Sequence, residues 1–148
     1  MNGNKIKTIK IIHYALLAGV FLLIMITYAN SHNLALTFDI KNFNFQLGLG
    51  LGVVAIFAHK LIYMRALQDK FNLKTALEKW NKYQTFHLIR MAILEGAAIV
   101  NIVLVYTSGN LTHLVFAFIL FILMNEYLPN AKKIAAEWDL TEQEINEL

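Results

Sequence analysis

The chain has 148 residues, 57% of them hydrophobic and 16% charged, with a mean hydropathy of +0.50 and a net charge of +3. Soluble domains carry about a quarter charged residues, so this chain has too much apolar surface for one water-facing core and suits an outer surface in lipid. Its basic residues sit at the ends of apolar runs and form no stripe with interleaved aromatics, which excludes nucleic acid. The absence of Cys excludes disulfides, thiolate metal sites and thiol redox chemistry.

Four apolar runs follow in chain order, at residues 9–29, 45–63, 86–107 and 111–128. Each is near the ~20 residues that carry a helix across ~30 Å of hydrocarbon. Lipid admits only helices or closed barrels, and these runs are too uniformly apolar for barrel strands. The first, between Ile11 and Ala29, exceeds the ~7–15 residues of a signal-peptide core. It is therefore expected to stay as an anchor despite a weak cleavage signal at Thr27 and Ala29. A polar connection, 30–44, leads to the second run, which contains Gly48, Gly50 and Gly52. No strand–turn–helix surrounds these glycines, so they are no dinucleotide fingerprint; Gly48 and Gly52 read as a helix-packing pair. The connection 61–85 reads as helical extensions beyond the membrane, with Trp80 and Tyr83 at headgroup level beside Lys79 and Lys82. Ser108-Gly109-Asn110 reads as a tight turn joining the third and fourth runs in a close hairpin. Pro129 ends the fourth. In the tail, Thr141 with Glu144 reads as a capping box and Leu140 with Ile145 as its hydrophobic staple, opening a small acidic helix over 142–148 that is expected to be solvated, with a docking element as the alternative.

The charges give an orientation. Twelve of the thirteen basic residues flank the outer ends of runs 1 and 4 or lie between runs 2 and 3; only Lys41 falls on the other side. The positive-inside rule then predicts four spans with both termini in the cytoplasm. The expected fold is an all-α four-helix transmembrane bundle over 1–130, followed by a short cytoplasmic tail, 131–148, with an amphipathic C-terminal helix.

Runs 1 and 3 echo one another. Ile12-His13-Tyr14-Ala15-Leu16-Leu17-Ala18-Gly19 aligns with Ile89-Arg90-Met91-Ala92-Ile93-Leu94-Glu95-Gly96, and Asn33-Leu34 with Asn110-Leu111. Both carry a small-xxx-small pair, Ala15/Gly19 and Ala92/Gly96, of the kind that lets helices approach closely in lipid. The two runs are expected to cross at Gly19 and Gly96.

Glu95 is the leading functional candidate. It lies five residues beyond Arg90, which marks the cytoplasmic end of run 3, or ~7 Å deep at 1.5 Å per residue, where a charged carboxylate is costly and should face a partner inside the bundle. Two roles are open to it: proton or cation coupling, and a structural carboxyl that locks helices together. His13, His59, Arg90 and Asn125 lie at a similar level and form a candidate ion- or proton-binding set with it. No helix carries the Glu-x-x-His spacing of bundle di-metal sites, so no metal or cofactor is expected. Asn101, near mid-membrane, reads as interhelical hydrogen-bonding glue. No nucleophile–base pair, P-loop or zinc-protease signature occurs, and no enzyme is expected.

Two resemblances add to this. The Gly48-Leu49-Gly50-Leu51-Gly52 run, followed after a loop by Ala92-Ile93-Leu94-Glu95-Gly96-Ala97, is partly similar to the c-subunit hairpin of rotary ATP synthases, which would imply a proton-carrying Glu95. The connecting loop is longer than in that family and lacks its Arg-Gln-Pro turn. Over nearly its whole length the chain resembles uncharacterised four-span proteins of Bacteroidota. That resemblance is carried by His13-Tyr14-Ala15-Leu16-Leu17-Ala18-Gly19, the Tyr83-to-Gly96 segment and the Leu128-Pro129 exit. It implies a bacterial inner-membrane protein and brings no activity. The leading expectation is a non-enzymatic accessory or structural subunit, in contact with the bilayer and with further copies or a larger membrane complex. The alternative is a proton- or cation-coupled transporter or channel component centred on Glu95.

Overall fold

The computed structural model describes residues 5–31 and 34–147; His32, Asn33 (and with it the Asn33 part of the internal echo) and Leu148 lie outside the described residues. The described chain is helical: α1 Lys5–Ala29, α2 Phe43–Asp69, α3 Ala76–Ser108, α4 Thr112–Glu126, α5 Ala131–Trp138 and α6 Glu142–Glu147, with a 3-10 turn at Lys70–Asn72. α1, α2 and α3 are each long and apolar enough to cross a membrane. A fourth crossing is reached if α4 and α5 are counted together across their 76° bend. α2 and α3 run past the apolar segments as continuous helices, so the connection between them is made of helix extensions, as expected.

Local chemistry sets the boundaries. The Asn42 side chain accepts from the amides of Asn44 and Phe45 to start α2, and Thr75 with Glu78 forms a capping box at the start of α3. α3 ends at Gly109, whose φ of +66° is the left-handed cap that glycine adopts without steric cost. The predicted tight turn is therefore present, and α3 and α4 form a close hairpin.

α1 and α2 each pack on both α3 and α4 but make little contact with one another. The connection between them must therefore cross the α3–α4 turn, and the polar groups there bind it down. Leu111 N donates to the Ala35 carbonyl at 3.0 Å. Asn110 Nδ2 and Thr112 Oγ1 both donate to the Thr37 carbonyl at 2.8 Å, and Asn110 Oδ1 accepts from Thr37 N at 3.2 Å. This satisfies extended backbone that would otherwise be orphaned.

α3 is the central helix. Its inward stripe runs through Trp80, Tyr83, His87, Arg90, Leu94, Ala98, Asn101 and Val105, a spacing that keeps one face inward for the whole length of the helix. α1 offers the narrower stripe of Ile9, His13, Leu17, Val20, Ile24 and Thr27. The outward faces of α1 and α2 are large apolar residues such as Leu22, Ile26, Val54 and Phe57, as a lipid-facing surface requires.

Three expectations need correction. The tail is not solvated: beyond buried Pro129 the chain turns, and Ile134, Trp138, Leu140 and Ile145 pack with Ile9, Ala66, Trp80 and Tyr83 into a second core at the end of the bundle that carries both termini. The box and staple read from the tail are present, but they serve to seat α6 on α1 and α3. Glu144, held by the Thr141 amide, has its carboxyl below the usual range. Trp80 and Tyr83 accordingly face this core and not the headgroups, because α5 and α6 cover them. Finally, α1 and α3 pack through the Leu17 and Leu94 stripes and not through Gly19 and Gly96: a Cβ built on either glycine meets nothing within 4 Å, and Ala15 and Ala92 are exposed.

The Gly48/Gly52 pair also splits. A Cβ at Gly52 would meet nothing within 4 Å, whereas one at Gly48 would lie 2.5 Å from His113 Nδ1 and 2.6 Å from Asn101 Oδ1. Gly48→Ala should therefore lower stability in detergent by about 1–3 kcal/mol through overpacking. Gly52→Ala should be neutral or stabilising by up to ~1 kcal/mol, since glycine weakens a helix interior. Equal thermal or denaturant midpoints for the two variants would contradict this packing.

Candidate functional site

Polar side chains in the bundle fall in two layers. At the basic end, one face of α3 presents Tyr83, His87 and Arg90 at positions i, i+4 and i+7, and α2 presents His59 and Tyr63 one turn apart. These spacings bring the groups into register. Arg90 Nη2 donates to His59 Nε2 at 2.8 Å. A guanidinium can only donate, so His59 accepts at Nε2 and its ring carries its hydrogen on Nδ1. The guanidinium carbon lies 4.0 Å from the Tyr63 ring centroid and 4.7 Å from that of Tyr127, within cation–π range on two rings. His87 stacks on Tyr83 and shares a hydrogen bond of 3.1 Å with His13.

From the fold-back come Asn130, Lys133 and Glu137. Glu137 accepts from the Tyr63 hydroxyl through its carboxylate and from Lys70 Nζ through its backbone carbonyl at 2.7 Å. Lys70 itself pairs with Asp139 at 3.0 Å. His59, Tyr63, Tyr83, His87, Arg90 and Tyr127 line a cavity of about 290 Å³ with Lys60, Asn130, Lys133 and Glu137.

Arg90 is 5% exposed, its Nε has no hydrogen-bond partner, and it makes no ion pair among the described residues. A buried guanidinium without a counter-charge is costly, and the cavity holds three basic side chains against one carboxylate. Basic donors grouped in this way can attract an anionic group such as a carboxylate or phosphate.

The second layer lies toward the α3–α4 turn. Asn101 Nδ2 donates to the Ala97 and Gly48 carbonyls at 3.0 and 3.3 Å, so Asn101 does join α3 to α2. Its Oδ1 and both ring nitrogens of fully buried His113 have no partner among the described residues. Between the layers the core is apolar: Leu17, Val20, Ala55, Leu94, Ala98, Ala117 and Leu120.

The predicted set is thus divided. His59 and Arg90 come together, and His13 lies beside them through His87. Asn125 is exposed and takes no part. Glu95 is half-buried, 140° around α3 from Arg90 by helical geometry, outside the cavity and without a hydrogen bond or ion pair among the described residues. His87, Tyr63 and Tyr127 were not singled out, and Tyr83 was read only as a headgroup-level residue, although the Tyr83–His87–Arg90 and His59–Tyr63 spacings carry the signal. Glu137 and Lys133 gave none, because only the bend after α4 brings them to the site. The described residues contain no cluster of three or more His, Asp or Glu arranged to hold a metal ion.

No family model, curated protein or solved structure matches the chain.

Proposed function

We propose that the protein is a non-enzymatic accessory component of a bacterial inner membrane that recognises an anionic group at its cytoplasmic face. The observation that carries this reading is Arg90, a buried guanidinium whose Nε has no hydrogen-bond partner, lining one cavity with Lys60 and Lys133. An ionisable group at this depth is a functional candidate by default, and its missing counter-ion defines the ligand. Four spans with both termini inside are part of the proposal, supported by the charge distribution and by the bent α4–α5 pair. The chain has no native Cys. On this topology, Lys41→Cys is labelled from outside intact cells and Lys132→Cys only after permeabilisation; the reverse pattern overturns the orientation.

In detergent, inorganic phosphate should raise the unfolding midpoint of the wild-type chain. Arg90→Gln should lose that increment, with an affinity reduced by about 2 kcal/mol or more, the cost of truncating one side of a buried charged contact. An equal increment in both proteins sinks the reading.

A second reading concerns Glu95. Its neighbours Ala92 and Gly96 are exposed, and so are Ile99 and Val103 on the same face. The apolar layer gives a proton or cation no polar route through the bundle. An unpartnered carboxylate on an outward face with small residues favours docking of a helix from another subunit that brings a hydrogen-bond donor. Gly96→Leu adds bulk only outside the bundle. It should therefore leave the fold intact while removing the larger species seen on native gels of membranes from producing cells. A wild-type chain that runs as a monomer there argues against this reading.

A further inference from the structure

We infer that the Arg90 cavity is built for a zwitterion, an anionic group and an ammonium on a short linker, and that the membrane supplies it as a phosphoethanolamine headgroup. The inference rests on the anion reading above and adds a second charge to it.

The observation behind it is Glu137. A carboxylate has no place in a simple anion receptor, yet it lines the same cavity as Arg90. Opposite charges in one cavity of about 290 Å³ attract strongly at low dielectric, but Arg90 and Glu137 form no ion pair. Tyr63 keeps them apart. Its ring face is occupied by the Arg90 guanidinium, 4.0 Å from the centroid, while its hydroxyl, at the far edge of the same ring, donates to the Glu137 carboxylate. The phenol is a spacer with a cation on its face and an anion at its tip. The bend after α4 fixes the separation, because it places Glu137 on α5 while Tyr63 and Arg90 stand on α2 and α3.

A ligand that satisfies both ends carries a fixed pair of charges. Its anionic group meets the cavity side of the Arg90 guanidinium with Lys60 and Lys133 beside it. These donors come from α3, α2 and α5, three directions that suit a tetrahedral phosphate better than a planar carboxylate. The Tyr83 and Tyr127 side chains line the same space and add hydroxyl donors. The ammonium meets Glu137 and the aromatic rings, which attract cations. The site lies where the apolar segments of α2 and α3 give way to basic residues, the level at which basic pockets between spans take lipid headgroups.

The test uses the full chain. Purified protein is placed in phosphatidylcholine nanodiscs doped with either phosphatidylethanolamine or phosphatidylglycerol, and retained lipid is counted by native mass spectrometry. In parallel, the soluble probes O-phosphoethanolamine, inorganic phosphate and glycine are titrated in detergent. The expected result is selective retention of phosphatidylethanolamine. O-phosphoethanolamine should bind about tenfold more tightly than phosphate. In Glu137→Gln, which keeps an acceptor for Tyr63, that preference should fall to roughly twofold or less. Equal retention of the two lipids with no effect of Glu137→Gln overturns the zwitterion and leaves the anion reading standing. Tighter binding of glycine than of O-phosphoethanolamine overturns the headgroup assignment. Failure of every phosphate probe overturns both readings.

Discussion

A guanidinium withdrawn from water must be held by something, and the way Arg90 is held organises one end of this molecule. Arginine does not deprotonate in proteins, so its charge cannot be removed by a shift in titration. Two tyrosine faces and one imidazole nitrogen carry it. Each of these contacts fixes another element: His59 and Tyr63 fix the register of α2, and Tyr127 fixes the exit of α4. Glu137 is bound through Tyr63 and so ties α5 to the same centre. The bend between α4 and α5 is thus part of the site's construction, and without it the cavity has no floor.

The two ends of the bundle use different chemistry for a shared reason. Near the α3–α4 turn, hydrogen bonds from Asn110 and Thr112 hold the α1–α2 connection, because that segment has unpaired backbone to satisfy and leaves Leu36, Phe38 and Ile40 exposed. At the basic end, a second apolar core of Trp80, Trp138, Ile9 and Ile145 closes the bundle. The apolar layer between the ends separates the polar groups into two independent sets.

The sequence made the helical spans legible because hydrocarbon imposes a length and a composition on them. The Gly109 turn and the Thr141–Glu144 box were legible because each needs particular residues at fixed offsets. The site was half legible. His59 and Arg90 were found by depth along their helices, but depth does not give direction. Glu95 lies only five residues beyond Arg90 and points elsewhere, whereas His87, three residues before it, shares its face. Helical angle separates these residues where distance along the axis does not. Gly19 and Gly96 misled for the same reason, since a small-residue pair reports that close approach is permitted and leaves open which helix approaches. Glu137 was beyond reach, because its position depends on a 76° turn set by how Trp138 and Ile134 bury themselves.

The fold-back also changes how the charge distribution is to be read. Counted along the chain, Lys60, Arg90 and Lys133 are three separate topology signals at the ends of apolar runs. Folded, they border one cavity. Charges that orient a chain in the membrane need only lie on the correct side, and any lysine in the loops would do. Arg90 is different, because burial costs it hydration that a loop position would have kept. A residue placed for topology alone would be exposed. Its burial against Tyr63, in one cavity with a carboxylate it does not pair with, is an arrangement that an orientation signal does not explain.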